Sequence, residues 1–299
     1  MRSLLCRQAY TGKSMRILPP ITVPANFNLF HFGDKHEGSV LSSDKAWNKL
    51  CDVMNSEYDG CRNNYGVNGG DNIEAITVDD KRFSEEKLTE PLPLAQAKAI
   101  IKKHEPIARM MLALLLGNHC RKLWRFGNLA EYIANELGIP YGTYTCKLSF
   151  VDTKGELLFK VYETHGFKSI TSTADDPKRR RTNQEIILKR HLKFKAADCV
   201  VMVKHHTHKL LVCKPDEDLF LYDDGKEIKQ SYTGWGQNER YIHPDARWYG
   251  NAGSFLKLFG KGISGYAELF EYDPVELGFL VTKVRDKKVK SIEPYYIKI

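Results

Sequence analysis

Five short groups of metal-ligating residue types occur in order along the chain: Asp34-Lys35-His36, Gly70-Asp71-Asn72-Ile73-Glu74, Gly117-Asn118-His119, Thr164-His165-Gly166 and His206-Thr207-His208. Carboxylates, an amide oxygen and several imidazoles are the donors that a pair of divalent cations needs. Asp34 and His36 are two residues apart, so a kinked loop can aim both at one cation. Asp71 has two oxygens and can bridge two cations. Asn118 offers a neutral carbonyl oxygen, and His165, His206 and His208 offer ring nitrogens. The i, i+2 spacing of His206 and His208 suits a loop that straddles two metals. Two divalent ions carry more charge than Asp34 and Asp71 return, and the surplus favours a bound hydroxide and a phosphate anion. His119, beside Asn118, then faces the substrate as a proton donor to the leaving oxygen.

Hydrophobic strand-like runs lead into nearly all of these groups. Phe27–Phe32 is a short strand that ends at Gly33, and a glycine-rich segment, 66–70, runs into Asp71. The unbroken apolar run 110–116 fits a strand buried on both faces. Strands over 143–151 and 156–163 precede His165, and one over 199–203 precedes His206. Between them, 43–58 has helical spacing with Trp47, Leu50 and Met54 on one face. A second helix spans 91–104, opening at a proline. A third, 128–137, stops at Gly138, and Thr182 can cap a fourth that runs to about Lys195. This alternation predicts an α/β sheet with its site at the strand ends. Further on, Tyr222-Asp223-Asp224-Gly225 marks a hairpin turn, and 265–272, 278–284 and 289–297 read as strands. Residues 1–26 read as an irregular leader punctuated by Pro19, Pro20 and Pro24. Residues 27–299 are expected to form one domain, with 216–299 completing a second sheet and the active-site rim.

A chain of 299 residues with 42% hydrophobic and 27% charged residues can bury a sizeable core. The formal net charge of +8 favours an anionic partner. Seven cysteines, an odd number without CxxC spacing, indicate reduced thiols and a cytoplasmic protein. No apolar run approaches the ~20 residues that span a bilayer. Met1 to Cys6 is too short an apolar stretch for a secretory signal. Gly12-Lys13-Ser14 is not a phosphate-binding loop, because Arg7 stands where the first glycine is required and no strand precedes it.

Taken together, the patterns D-x-H, G-D-x-x-E, G-N-H, H and H-x-H across residues 27–215 resemble the calcineurin-like metallophosphoesterase superfamily. The segments Asn251-Ala252-Gly253-Ser254-Phe255 and Ser264-Gly265-Tyr266-Ala267 are similar to tails of its bacterial and phage members. The resemblance implies an α/β fold, a four-layer α-β-β-α sandwich of two mixed sheets with flanking helices. It implies a first metal on Asp34, His36, Asp71 and His208, and a second on Asp71, Asn118, His165 and His206. His119 matches the catalytic histidine, acting as general acid while a metal-bridging hydroxide attacks phosphorus. Two positions depart from the family pattern. Cys120 stands where an acid usually orients the histidine, and a thiol is a weaker acceptor. His205 replaces a glycine, at a position expected to need a permissive backbone. The mixed nitrogen and oxygen donors suit two divalent ions, manganese first, with iron, nickel or zinc as alternatives.

Arg121 and Arg125 follow His119 closely enough to fork onto a phosphate, and His205 is a further candidate for substrate contact. The run Lys178-Arg179-Arg180-Arg181 can meet a nucleic-acid backbone, and Trp235, Tyr241, Trp248 and Tyr249 can stack bases. Each has a plainer explanation, as a solvated basic turn, a surface charge or a core-covering loop. His31 reads as packed within its strand, His104, His191 and His243 as surface residues, and Asp79 and Asp80 as loop acids. Glu74 is placed to hold a ligand in position. The expected activity is hydrolysis of a phosphodiester, DNA or RNA leading. The alternatives are a phosphomonoesterase on a phosphoprotein or small metabolite, and a non-catalytic binding module that keeps the fold.

Overall fold

Phe27–Phe32 is buried at every residue, so layers must cover both of its faces. The computed structural model describes residues 15–298 apart from 81, 235, 239, 261–265 and 270. In chain order the strands are β1 (Arg16–Ile17), β2 (Ile21–Thr22), β3 (Phe27–Phe32), β4 (Asn64–Asn68), β5 (Met111–Leu114), β6 (Thr145–Val151), β7 (Leu157–Thr164), β8 (Val201–Lys204), β9 (Leu211–Cys213), β10 (Leu219–Asp223), β11 (Ile228–Tyr232), β12 (Trp248–Asn251), β13 (Leu277–Arg285) and β14 (Lys288–Ile297). The helices are α1 (Asp44–Asn55), α2 (Pro93–His104), α3 (Asn118–Lys122), α4 (Leu129–Leu137), α5 (Pro177–Leu192) and α6 (Tyr266–Leu269).

Two mixed sheets form. One runs β14-β13-β3-β4-β5, with β3, β4 and β5 parallel and β13 antiparallel to β3. The other runs β1-β6-β7-β8-β12-β9, with β2 also on β6; β7, β8 and β12 are parallel, β6 is antiparallel to β7 but parallel to β1 and β2, and β9 is antiparallel to β12. Their inner faces share a core in which Phe27, Leu29 and Val67 meet Phe150, Phe159, Val161 and Val201. The Phe27 ring lies 5.5 Å from Phe150 and 6.0 Å from Phe159, centroid to centroid. Outside the first sheet, Trp47, Leu50 and Met54 of α1, Ile100 of α2 and Ile133 of α4 cover Phe30, Phe32 and Phe279. Outside the second, Leu188 and Leu192 of α5 cover Tyr162, Met202 and Tyr249. The architecture is therefore a four-layer α-β-β-α sandwich, and each fully buried Leu or Phe in it contributes about 1.5–3 kcal/mol.

The C-terminal strands divide between the layers, β12 joining the second sheet and β13–β14 the first. β10 and β11 form the expected hairpin, paired to each other alone among the described residues. Several boundaries differ from the sequence expectation. α2 begins at Pro93 rather than Pro91. α5 begins at Pro177, because the Asp176 side chain accepts the Arg179 N–H; Thr182 lies inside the helix and bonds back to the Lys178 carbonyl. Lys178 to Arg181 is thus the start of a helix and not a turn before it. The strand expected over 265–272 is not one: Tyr266–Leu269 is a helical turn, while 261–265 and 270 lie outside the described residues. So do the first fourteen residues of the proposed leader, with Cys6, and Trp235. The six described cysteines are free, five of them buried. No described helix is long and apolar enough to cross a membrane.

Candidate metal centre

Each of the five residue groups leaves the C-terminal end of a strand, β3, β4, β5, β7 or β8, and the two sheets bring these ends to one edge of the sandwich. Parallel strands that end together open a crevice there. The loops are cross-linked by backbone bonds: Asp34 N–H donates to the Gly70 carbonyl at 2.8 Å, and His36 N–H to that of Asp71 at 3.0 Å. Five of the seven expected ligands adopt left-handed backbone, Asp34 (φ 53°), His36 (φ 53°), Asp71 (φ 47°), His206 (φ 75°) and His208 (φ 54°). Such conformations cost about 1–3 kcal/mol each and persist where the surroundings over-determine them. His205, expected to need the permissive backbone, does not; the residue after it does.

Three overlapping groups could hold a metal ion: Asp34, His36 and His208; His36, Asp71 and His119; and Asp71, His165 and His206. Within each, the ligand atoms lie within 4.8 Å of one another. His208 Nε2 is 3.4 Å from Asp34 Oδ1, and His165 Nε2 is 3.2 Å from Asp71 Oδ2 and 2.9 Å from Asn118 Oδ1. Asp71 shares two groups, as a bridging carboxylate would. His119, assigned to face the substrate, is also close enough to join His36 and Asp71.

The donor set fits cations for a specific reason. Asp34 Oδ1 and His36 Nε2 are buried without a well-formed hydrogen bond, the His208 Nε2 at 3.4 Å from Asp34 Oδ1 not being aligned to donate, a costly state for a carboxylate oxygen unless a cation satisfies it. The outward nitrogens are meanwhile fixed. His36 Nδ1 meets Glu74 Oε2 at 2.8 Å, and His165 Nδ1 meets the Gly69 carbonyl at 2.8 Å. This is the support that orients ligating imidazoles. His119 Nδ1 bonds to the Glu74 carbonyl, and its backbone N–H donates to Asp71 Oδ1 at 2.9 Å.

The ion-free electrostatics show the same tension. Burial opposes charge on Asp34, but His208 and His165 outweigh it and hold the carboxyl well below its usual range. Burial likewise opposes charge on Asp71, and His165 and His119 overcome it. Burial works against a protonated His165, yet Asp71 raises its pKa to about 9. Burial drives His206 down to about 4, assisted by the His165 charge, and lowers His119 against the pull of Asp71.

Several supports were not apparent from sequence. Asn68 holds the Gly69-Gly70 turn by accepting the Gly70 N–H at 2.9 Å, and it contacts His104 Nε2 at 2.9 Å. A Cβ on Gly117 would fall 1.9 Å from Asp71 Oδ1, so only glycine leaves room for that carboxylate. Ser254 Oγ and Phe255 N–H both donate to the Asp34 carbonyl at 3.1 Å. Asn251 accepts from Thr207 Oγ1 at 2.9 Å, which gives the Asn251–Phe255 stretch a buttressing role. Lys35 is buried on Glu37, Ser42 and Asp44.

Other expectations need correction. His205 is fully buried and points between the sheets, where Glu163 binds it at 3.1 Å and also binds His31; it does not line the substrate side. Cys120 is buried in the helix-side core and leaves the orienting role to Glu74, whose carboxylate is 3.9 Å from His119 Nδ1. His104 is buried against Trp47 and is not a surface residue. Trp248 and Tyr249 are buried on β12 and cannot stack bases, whereas Tyr241 is exposed. Arg121 and Arg125, by contrast, are exposed in the chain beyond His119, Arg121 over the Trp124 ring at 4.0 Å and Arg125 paired with Asp79.

No protein-family profile matches the chain, and no curated protein matches it in sequence. Among solved structures it is similar to the NAD nucleotidase (NadN) of Haemophilus influenzae, at 13% identity and a TM-score of 0.35. That match covers 91% of this chain and 50% of the other, so the chain spans about half the length of the nucleotidase.

Proposed function

We propose that the protein is a metal-dependent phosphoester hydrolase with a dinuclear centre, acting on phosphodiesters. The carrying observation is the pair of buried ligand atoms without a well-formed hydrogen bond, Asp34 Oδ1 and His36 Nε2, within a cluster drawn from five strand ends. The motif series that resembles the calcineurin-like superfamily supplies the reaction class. Asp34, His36, Asp71 and His208 would hold one cation, and Asp71, Asn118, His165 and His206 the other. Bound cations supply Lewis acidity toward a phosphoryl group and lower the pKa of water at the site.

The chain's own residues do the rest. Glu74 fixes His36 through its carboxylate and His119 through its carbonyl, so the two rings meet edge to face at 4.6 Å. With Nδ1 of His119 donating to that carbonyl, Nε2 is the nitrogen left to exchange a proton with the leaving oxygen. Burial lowers the His119 pKa, which makes its imidazolium a stronger acid and a scarcer one.

The test compares bis-p-nitrophenyl phosphate with the monoester, using protein supplied with Mn²⁺, and includes Asp71→Asn and His119→Ala. Metal-dependent turnover favouring the diester, abolished by Asp71→Asn and reduced about 10²–10⁴-fold by His119→Ala, is expected. No turnover with any divalent metal would leave a binding module on this fold. Preference for the monoester would indicate a phosphatase.

A further inference from the structure

Three exposed aromatic residues connect to the candidate centre, Phe167 through its ring, Tyr144 through its backbone beside His165, and Trp124 through its ring contact with Tyr144. Phe167 follows His165 by two residues and is 75% exposed, with its ring stacked on that of His206 at 5.3 Å and 20°. A ring with one face on a candidate ligand and three-quarters of its surface in water has its other face open. Tyr144 is 40% exposed, and its carbonyl accepts the His165 N–H at 3.0 Å. Trp124 is 37% exposed, two residues beyond the helix that begins at Asn118, and its ring is 6.5 Å from Tyr144. Arg121 lies over Trp124 at 4.0 Å, and Lys122 and Lys168 are exposed beside these rings in the chain.

Single exposed apolar residues need no explanation. Three flat rings interleaved with cations, next to a site whose chemistry suits phosphate, do. Double-stranded nucleic acid hides its base faces, whereas an unpaired strand offers them, and a ring–base stack tolerates any sequence. We propose that Phe167, Tyr144 and Trp124 form a base-stacking rim that makes single-stranded nucleic acid the substrate class. Phe167 positions a base beside the centre, and Arg121 and Lys168 meet the flanking phosphates. The assignment of the strand as substrate rests on the phosphoesterase function proposed above. The bases themselves are recognised by the rings alone, and the net charge of +8 favours the polyanion.

The test measures binding of fluorescein-labelled hexanucleotides with phosphorothioate linkages, which keep the strand intact, to the full chain with Mn²⁺. A hexathymidylate is compared with the abasic hexamer and with a duplex. Phe167→Ala is expected to weaken the hexathymidylate by about tenfold or more and to leave the abasic strand unchanged. Phe167→Trp is expected to restore affinity, and metal content by elemental analysis should not move. Trp124→Ala should add a smaller loss, again confined to strands with bases. Equal loss on both strands, no loss on either, or tighter binding of the duplex overturns the rim. Hydrolysis of bis-p-nitrophenyl phosphate in the same preparation separates the two ideas. Turnover without base-dependent binding sinks the rim alone, whereas base-dependent binding with no turnover under any metal sinks the hydrolase and leaves a strand-binding surface.

Discussion

Gly117→Ala places one methyl group against the carboxylate that two of the metal-competent groups share. The new Cβ would stand 1.9 Å from Asp71 Oδ1, 2.2 Å from the Asp71 amide nitrogen and 2.6 Å from its Cγ. Ordinary contact begins near 3.5 Å, so the carboxylate has to retreat by roughly 1.5 Å. Coordination tolerates about 0.2 Å. Part of the clash is with backbone, which cannot rotate away as a side chain would, and Asp71 already sits in left-handed backbone at φ 47°. Overpacking of this kind costs about 1–3 kcal/mol of stability, a tolerable loss, while the proposed centre loses the oxygen that would bridge its cations. The expected result is a folded protein with less bound metal per chain and no metal-dependent turnover, read by elemental analysis and urea unfolding. Gly236→Ala, where nothing lies within 4 Å of the added Cβ, serves as the control. Full metal occupancy in Gly117→Ala would refute the central position given to Asp71.

Three further outcomes follow from the same geometry. His165, raised to about 9 with burial opposing and Asp71 driving the shift, is protonated at neutral pH in the ion-free protein. Its contribution to ion-free stability is full below about pH 6.5 and is lost as pH rises through about 9. Metal binding at pH 7 should therefore release at least one proton, measured by calorimetry in buffers of different ionisation enthalpy; no buffer dependence would contradict the assignment. Glu74→Ala removes the partner of His36 Nδ1 and should weaken metal binding about 10–100-fold with the fold intact, as chelator competition would show. Glu163→Leu strips His31 and His205 of their common buried acceptor and should cost about 3–5 kcal/mol in urea unfolding. A loss under 1 kcal/mol would show that the two rings find other partners.

Spacing conveyed the strand-end arrangement because each ligand group follows an apolar run, and a strand delivers its next residue to the sheet's edge whatever the rest of the fold does. The glycine and proline signals at Gly138 and near the start of α2 mark helix ends through backbone geometry, a local property. Residues whose role depends on a distant partner were not legible. His205 looks like a loop residue until Glu163, 42 positions earlier, is found opposite it. Cys120 is next to His119, yet one step along a helix turns its thiol into the core. His104 ends a helix rich in lysine, and only the packing of Trp47 and Asn68 shows that it is buried. Phe167 carries no pattern at all, since an aromatic residue after a glycine has no period to reveal that its ring lies on His206. Trp248 and Tyr249 failed as stacking candidates for the opposite reason, their glycine-rich surroundings hiding a fully buried strand.

The expected ligands are divided between the layers, with Asp34, His36, Asp71 and Asn118 following strands of one sheet and His165, His206 and His208 following strands of the other. Cations bound there would clasp the two halves together at their rim, joining segments as far apart in the chain as Asp34 and His208. Chelation would then unfasten the seam at that edge while the Phe27–Phe150 contact deeper inside holds, and amide exchange would quicken first in the loops and last in the central strands.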